Sequence, residues 1–364
     1  MKHRIVLATD SADPSGMGEH MLTLGAALAG DYDVLLAIPA NENSSLLRRA
    51  AEQGLRIKTI DARRMDLFRL WLSEHGADLV HVHAGIGWEG HGLVRAARAA
   101  GVPVVRTEHL PYLLTSPVQQ AEYRALLLSV DRRIAVSDAV AASHVGQGRG
   151  PIQVVRNGIA PQPAHRTGSQ IRAELGVGED EQVVLSIARF TPQKGYDLLV
   201  ASAPQVFAAA PRTRFLLVGN GPEQATIQAL IDEAELGDKV LMLGARTDVP
   251  DLLAAANLFV LPSHFEGLSL ALLEAMAASI PVVASAIGST VEALGSDYPH
   301  LVPPNDPDAL AVAILKALAD EGGASTAAGA AARRFADRFT AQRMAKQTAA
   351  VYHSLLAKDQ GAYA

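Results

Sequence analysis

Short apolar runs alternate with amphipathic stretches along almost the whole chain. In the first part the runs fall at residues 4–9, 34–38, 55–60, 79–82, 102–106, 133–136 and 152–155, with helical spacing between most of them, as at 18–28 and 93–100. Runs of this length, bounded by turn formers and separated by helical periodicity, predict parallel strands covered on both faces. Residues 157–164 break the pattern with turn formers and no period, which predicts a linker. The alternation then resumes, with strands expected at 183–188, 215–218, 240–243, 258–261, 282–284 and 301–302 and helices at 197–209, 223–235 and 268–278. From Asp308 to about Lys358 the alanine-rich chain reads as helix alone, with breaks at Gly322-Gly323 and Phe339-Thr340. The fold class is therefore α/β, with two doubly wound domains at 1–160 and 161–340 and a closing helix at 341–364. Two such sheets joined by a linker predict a cleft at the carboxyl ends of both sets of strands, where these folds take ligands.

Composition narrows the chemistry. The 364 residues, 49% of them hydrophobic, exceed one typical core and suit two. The absence of cysteine excludes disulfides, a thiol nucleophile and cysteine-held metals, and fits a reducing compartment. The net charge is −6, with the acidic excess in the second half, which argues against a nucleic-acid partner. No apolar run is long enough to span a bilayer, and the opening residues read as a buried strand rather than a signal peptide. A cytoplasmic location is expected. Between Arg48 and Trp71 lie seven basic residues (Arg48, Arg49, Arg56, Lys58, Arg63, Arg64 and Arg69) with Leu67, Phe68 and Leu70. A solvated helical face is the first reading; peripheral contact with an anionic inner membrane face is the second.

Five turns carry candidate chemistry. Glu266 follows the strand expected at 258–261, and Glu274 falls about two turns into a helix expected to start near Leu268. The N–H groups between them, at a helix N-terminus, suit a diphosphate. Taken alone, two Glu at this spacing are as readily a loop charge and a solvated helix face. Arg189 and Lys194 occupy the turn after the second domain's first strand and supply the cations that a diphosphate leaving group needs without a metal. The turn from Val218 to Glu223 (VGNGPE) reads first as a tight strand-to-helix connection. In the first domain, the Gly16-Met17-Gly18 loop brings backbone close to any bound group, and His109 follows the strand at 102–106, as readily a structural histidine as a functional one. His81 and His83 share one face of a strand, but no third ligand is visible near them in the sequence. No complete dinucleotide fingerprint appears.

In order and combination, these motifs resemble family 4 of the retaining glycosyltransferases, which have the GT-B fold of two Rossmann-like domains. The resemblance runs from Gly16-Met17-Gly18 through Asp78–His83, Thr107-Glu108-His109, Val136-Ser137, Asn157-Gly158, Arg189 with Lys194-Gly195 and Gly219-Asn220-Gly221-Pro222-Glu223, to the Glu-x7-Glu segment Glu266…Glu274. Two positions depart from the family's frequent glycine pairs: Met17 separates Gly16 from Gly18, and Ser289 follows Gly288.

The resemblance implies a role for each matched residue. Glu274 would hold the ribose and Glu266 the donor sugar. Arg189 and Lys194 would hold the diphosphate, and Gly267, Leu268 and Ser269 would offer backbone N–H groups. His109 would face the sugar near the reacting centre, with Gly16 and Gly18 beside the diphosphate. Gly219 counts among the donor-binding residues, and Arg246 ends the segment near the nucleobase. His109, Arg189, Lys194 and Glu266 form the implied catalytic set. The implied reaction moves a hexose from a UDP- or GDP-sugar to the hydroxyl of a sugar, lipid-linked or small-molecule acceptor, with retention by a front-face route and without metal or other cofactor. A sugar-nucleotide epimerase, a glycoside phosphorylase and a non-catalytic sugar-nucleotide-binding protein are the competing readings.

Overall fold

The computed structural model describes residues 2–11, 15–40 and 45–357. Residues 358–364, the end of the closing helix expected at 341–364, lie outside them. The chain divides into two compact units, one from the described residues of 1–160 and 339–364 and the other from 161–338.

Unit 1 alternates strand and helix: β1 (Arg4–Ala8), α1 (Ser15–Leu28), β2 (Asp33–Pro39), α2 (Ser45–Glu52), β3 (Arg56–Ile60), α3 (Met65–His75), β4 (Leu79–Ala84), α4 (His91–Ala99), β5 (Val104–Glu108), α5 (Pro117–Leu127), β6 (Arg132–Ala135), α6 (Asp138–Ser143) and β7 (Ile152–Val154). Its seven strands are parallel in the order β3-β2-β1-β4-β5-β6-β7. Each central strand is buried along all or nearly all of its length because helices cover both faces. One side packs Leu7, Met21, Leu24 and Leu36 with Met344 and Tyr352. The other packs Val6, Phe68, Leu72, Val82 and Leu93.

Unit 2 runs α7 (Gly168–Glu174), β8 (Gln182–Ile187), a 3₁₀ turn (Pro192–Lys194), α8 (Tyr196–Ala209), β9 (Thr213–Val218), α9 (Gln224–Glu233), β10 (Val240–Met242), α10 (Val249–Ala255), β11 (Leu258–Leu261), α11 (Leu270–Ala277), β12 (Val282–Ser285), α12 (Gly288–Leu294), β13 (Leu301–Val302), α13 (Pro307–Ala319) and α14 (Glu321–Arg338). Its sheet is parallel in the order β10-β9-β8-β11-β12-β13. The last helix, α15 (Ala341–Leu356), belongs to unit 1, where it packs on α1 and seats Tyr352 in the core.

Three local expectations change. The proposed linker is not loose at its start. Asn157 is buried, and Ile159 pairs in parallel with the returning chain: Ile159 N–H donates to Phe339 O at 3.0 Å, and Ala341 N–H to Ile159 O at 2.9 Å. A Cβ on Gly158 would lie 2.3 Å from Thr340 O, so only glycine lets these backbones meet. The helical tail breaks at Asp320, not at Gly322-Gly323. Asp320 Oδ1 accepts from Gly323 N–H at 2.9 Å, and that N-capping interaction starts α14 with both glycines inside its first turn. The basic stretch from Arg48 to Trp71 is not one helical face. It comprises α2, the edge strand β3 and α3, and several of its cations are paired: Arg48 with Glu52, Arg49 with Glu19, Arg56 with Asp33 and Arg64 with Asp66. Phe68 is buried beneath it, while Leu67 and Leu70 face outward. No helix among the described residues is long and apolar enough to cross a membrane.

Candidate functional site

In each sheet the strand order reverses once, and ligands of doubly wound folds sit outside the carboxyl ends of the two strands flanking that point. In unit 2 those strands are β8 and β11. The turn after β8 carries Arg189 and Lys194; the turn after β11 carries Glu266. The two turns are pressed together. Gly195 has φ +66°, and a Cβ there would lie 2.1 Å from Pro262 O, while His264 N–H donates to Gln193 O at 2.9 Å. That contact brings Lys194 Nζ onto both carboxylate oxygens of Glu266, at 2.7 and 2.8 Å. Ser263 Oγ adds a hydrogen bond to Oε1 at 2.9 Å, and Ser289 Oγ donates to the Glu266 carbonyl at 3.3 Å. Glu266 is only 6% exposed. The sequence reading gave these two side chains to different parts of a ligand; the structure joins them to each other.

Gly267 and Leu268 are buried, and Ser269 Oγ accepts from Leu272 N–H at 3.3 Å, capping α11. The helix thus begins at Leu270, not near Leu268, because a serine oxygen satisfies one of its first free N–H groups. Glu274 is the fifth helical residue, just over one turn in rather than two, and is half-buried. Arg189 is exposed. Its turn rests on the next one: Phe190 N–H donates to Asn220 O at 2.7 Å, and a Cβ on Gly219 (φ +145°) would lie 1.9 Å from Ala188 O. Gly219 is therefore required by backbone packing beneath Arg189. Arg246 is held elsewhere, by Asp248 at 2.6 and 2.8 Å and Glu174 at 2.9 Å. None of its hydrogen bonds reaches the Lys194–Glu266 pair.

In unit 1 the reversal lies between β1 and β4. Gly16 and Gly18 sit in the first turn of α1, not in a loop; Gly16 is exposed and Gly18 buried. A helix's first N–H groups have no partner within the helix, which is the position these glycines occupy. β4 runs two residues further than its sequence pattern suggests, which brings His83 into the strand beside His81; both are buried. His81 uses both ring nitrogens, on Tyr352 Oη and Thr107 Oγ1, each at 2.6 Å, so it is a packing residue. His83 Nδ1 lies 3.0 Å from His109 Nε2. His109 is anchored by its N–H to Ala84 O at 2.9 Å. His20, on α1, completes a group of imidazoles, with Nδ1 2.9 Å from Asn157 Oδ1.

Sequence reasoning passed over His20, and named Asn157 only as part of the resemblance, with no role. A histidine among Met17, Met21, Leu22 and Leu24 on the buried side of α1 was the available signal. It also missed the buried set behind His109. Arg106 donates to Glu108 at 2.7 Å, Tyr123 Oη donates to Glu108 at 2.7 Å, and Tyr123 Oη lies 3.0 Å from His144 Nδ1. Burial alone would raise the Glu108 carboxyl; the Arg106 guanidinium, His144 and the hydrogen bonds outweigh it and hold the group below its usual range.

Burial also keeps the four histidines neutral. It lowers His20 to about 4 against the opposing hydrogen bond to Asn157 Oδ1, and holds His81, His83 and His109 well below the usual 6.5. A base with a depressed folded value takes up protons preferentially when unfolded. Its stabilising contribution is therefore whole above pH 6.5 and lost as pH falls toward 4. The shift at His20 alone corresponds to about 3 kcal/mol. Chemical denaturation between pH 7 and 4 is expected to show unfolding coupled to uptake of more than one proton; a flat profile would place these rings in contact with water.

Comparisons with known proteins agree with this layout. Residues 14–162 match the model for Glycosyltransferase Family 4, and residues 169–335 match that for Glycosyl transferases group 1. The chain is 29% identical over 196 residues to N-acetyl-alpha-D-glucosaminyl L-malate synthase of Bacillus anthracis, covering 54% of this chain and 51% of that one. It therefore spans about half the length of that relative. It is 27% identical to 2-deoxystreptamine glucosyltransferase of Streptomyces kanamyceticus, covering 78% of this chain and 79% of that one. The fold is that of Anabaena HepE, crystallised in complex with UDP-glucose, with a TM-score of 0.83 at 23% identity over 97% of this chain and 100% of that one. The chain therefore has the GT-B fold, its first part matching the model for Glycosyltransferase Family 4 and its second part that for Glycosyl transferases group 1.

Proposed function

We propose that the protein transfers a hexose from a nucleoside diphosphate sugar to a hydroxyl acceptor with retention of anomeric configuration. The observation that carries this reading is the Lys194–Glu266 pair at the strand reversal of unit 2, beside the capped start of α11. Lys194 and Arg189 stabilise the negative charge that builds on the departing diphosphate, so the chemistry asks for no metal. The N–H groups of Gly267, Leu268 and Ser269 add fixed donors to the same charge. Glu266 accepts from hydroxyls of the donor sugar, sharing its oxygens with Lys194. Glu274 binds the ribose. His109 faces the sugar, and its low basicity keeps it an uncharged hydrogen-bonding group near neutral pH. Donor departure and acceptor attack proceed on one face of the sugar, with a phosphate oxygen taking the acceptor proton. UDP is the first choice of nucleotide, because the fold is shared with a protein held in complex with UDP-glucose; GDP is the second.

Binding and slow hydrolysis across UDP-, GDP-, TDP- and ADP-sugars, with EDTA present, test the reading. One donor is expected to bind and be slowly hydrolysed, and Glu274→Ala is expected to weaken its binding at least tenfold while the fold stays intact. Binding without turnover across many acceptors would make the chain a binding protein. Release of an altered nucleotide sugar would make it an epimerase, and dependence on inorganic phosphate a phosphorylase.

A further inference from the structure

The group formed by His20, His83 and His109 has the composition of a metal site. One ring nitrogen from each lies within 4.8 Å of the others, and among the described residues no other group of three or more histidines or carboxylates comes together this way. The three arrive from separate elements: His20 from the buried side of α1, His83 from the end of β4 and His109 from just past β5. Their ring centroids form a near-equilateral triangle, 4.7 Å between His20 and His109, 5.2 Å between His20 and His83 and 5.3 Å between His83 and His109. All three are buried.

Two further observations point to a ligand. His83 Nε2 is buried and has no hydrogen-bond partner, a cost that a packed interior does not ordinarily leave standing. His20 Nδ1 is tied to Asn157 Oδ1, which fixes the tautomer and leaves Nε2 with an open lone pair. That is the outer partner that ligating histidines commonly have. By contrast, the neighbouring His81 spends both nitrogens on Tyr352 and Thr107 and has none to offer.

We propose that unit 1 binds one transition-metal ion of the zinc class at His20, His83 and His109, and that the bound ion inhibits the protein by occupying His109. Three neutral imidazoles and a water make a tetrahedral site suited to zinc or cobalt, and no carboxylate is present to favour magnesium or calcium. A zinc–nitrogen distance of about 2.0–2.1 Å sets the ligand nitrogens about 3.4 Å apart, inside the 4.8 Å that bounds their present separation. Closing in exchanges the His83–His109 hydrogen bond for two bonds to the ion. The inhibitory half of the inference rests on the place given to His109 in the proposed transfer; the binding half does not.

The test is a cobalt titration of the full chain after EDTA treatment and desalting. One equivalent is expected to bind and give the intense visible absorption of tetrahedral cobalt, and zinc is expected to displace it. His20→Gln and His83→Gln are expected to weaken binding at least 100-fold, while His3→Gln, at an exposed position, leaves it unchanged. X-ray absorption on the zinc-loaded unaltered chain covers variants that fail to fold, and is expected to count three imidazole nitrogens. With a hydrolysed donor in hand, zinc is expected to slow the unaltered chain and to leave the rate of His20→Gln at its zinc-free value. No stoichiometric binding, fewer than three imidazoles, or equal affinity in His20→Gln and His83→Gln would overturn the site. Stoichiometric binding without inhibition would keep the site and remove His109 from the reacting centre.

Discussion

Lys194→Ala is expected to slow hexose transfer by about 10²–10³-fold, the usual cost of removing one group aimed at charge that develops in a transition state. The same substitution unsettles unit 2. Among the described residues, Lys194 is the one cation hydrogen-bonded to Glu266, Ser263 Oγ is its other side-chain partner, and Glu266 is buried. Leaving a buried carboxylate without its counter-ion costs about 3–5 kcal/mol. The Lys194 side chain retains 16% of its exposure, so the lower end of that range applies. Activity and stability therefore fall together in the single variant, and a loss of turnover alone would say little. The double variant Lys194→Met with Glu266→Gln separates them. It removes both charges while keeping their volumes and the hydrogen bond from Ser263, so stability is expected to return to within about 1 kcal/mol of the parent. Turnover is expected to stay low, because the diphosphate still lacks its cation. Denaturation curves and kcat measured on both variants decide the matter. If the double variant recovers turnover along with stability, the pair is a structural clamp, and Arg189 alone carries the leaving group.

The alternation of strands and helices was readable because each buried parallel strand is a continuous apolar run closed by a turn. All thirteen strands fall where such runs occur, with ends shifted by one or two residues. The errors arise where a polar side chain decides a boundary. Ser269 moves the start of α11, Asp320 overrides the neighbouring glycines, and β4 runs on past Val82 through His83 and Ala84. The candidate site was legible in part. Turns after adjacent strands placed Lys194 and Glu266 at one edge of the sheet, but their union depends on Gly195 fitting against Pro262 O, a contact that no local pattern announces. His20 meets His83 and His109 only because α1 lies over the ends of β4 and β5. His81 is explained by Tyr352, 271 residues away. Pairings of that range are set by topology, and a single sequence carries no mark of them.

Glu108→Ala is expected to be the most damaging single change in unit 1, destabilising it by about 3–5 kcal/mol. Arg106 is 0% exposed and keeps its charge because Glu108 lies beside it in the same strand, at 2.7 and 3.3 Å. Without that carboxylate, the guanidinium retains the carbonyl of Glu89 at 2.6 Å and a distant one at Gly87, neither of which carries charge. Tyr123 Oη loses its acceptor as well. Glu108→Gln keeps the shape and one acceptor oxygen and is expected to cost less. Tyr123→Phe removes a single hydrogen bond to a charged group and is expected to cost about 1.5–3 kcal/mol. A substantial loss in Gln, which keeps the volume and removes the charge, is the signature of a buried ion pair; a loss in Ala with none in Gln would mean that packing volume alone matters. The consequence reaches the candidate site because Glu108 precedes His109 directly, and Leu110 O is held by His144 Nε2 at 3.2 Å in the same set. A loop freed at Glu108 no longer fixes His109 against His83. Glu108→Gln, even where it remains folded, is therefore expected to lower turnover, and donor binding measured beside kcat will show the loss in kcat if His109 faces the reacting sugar.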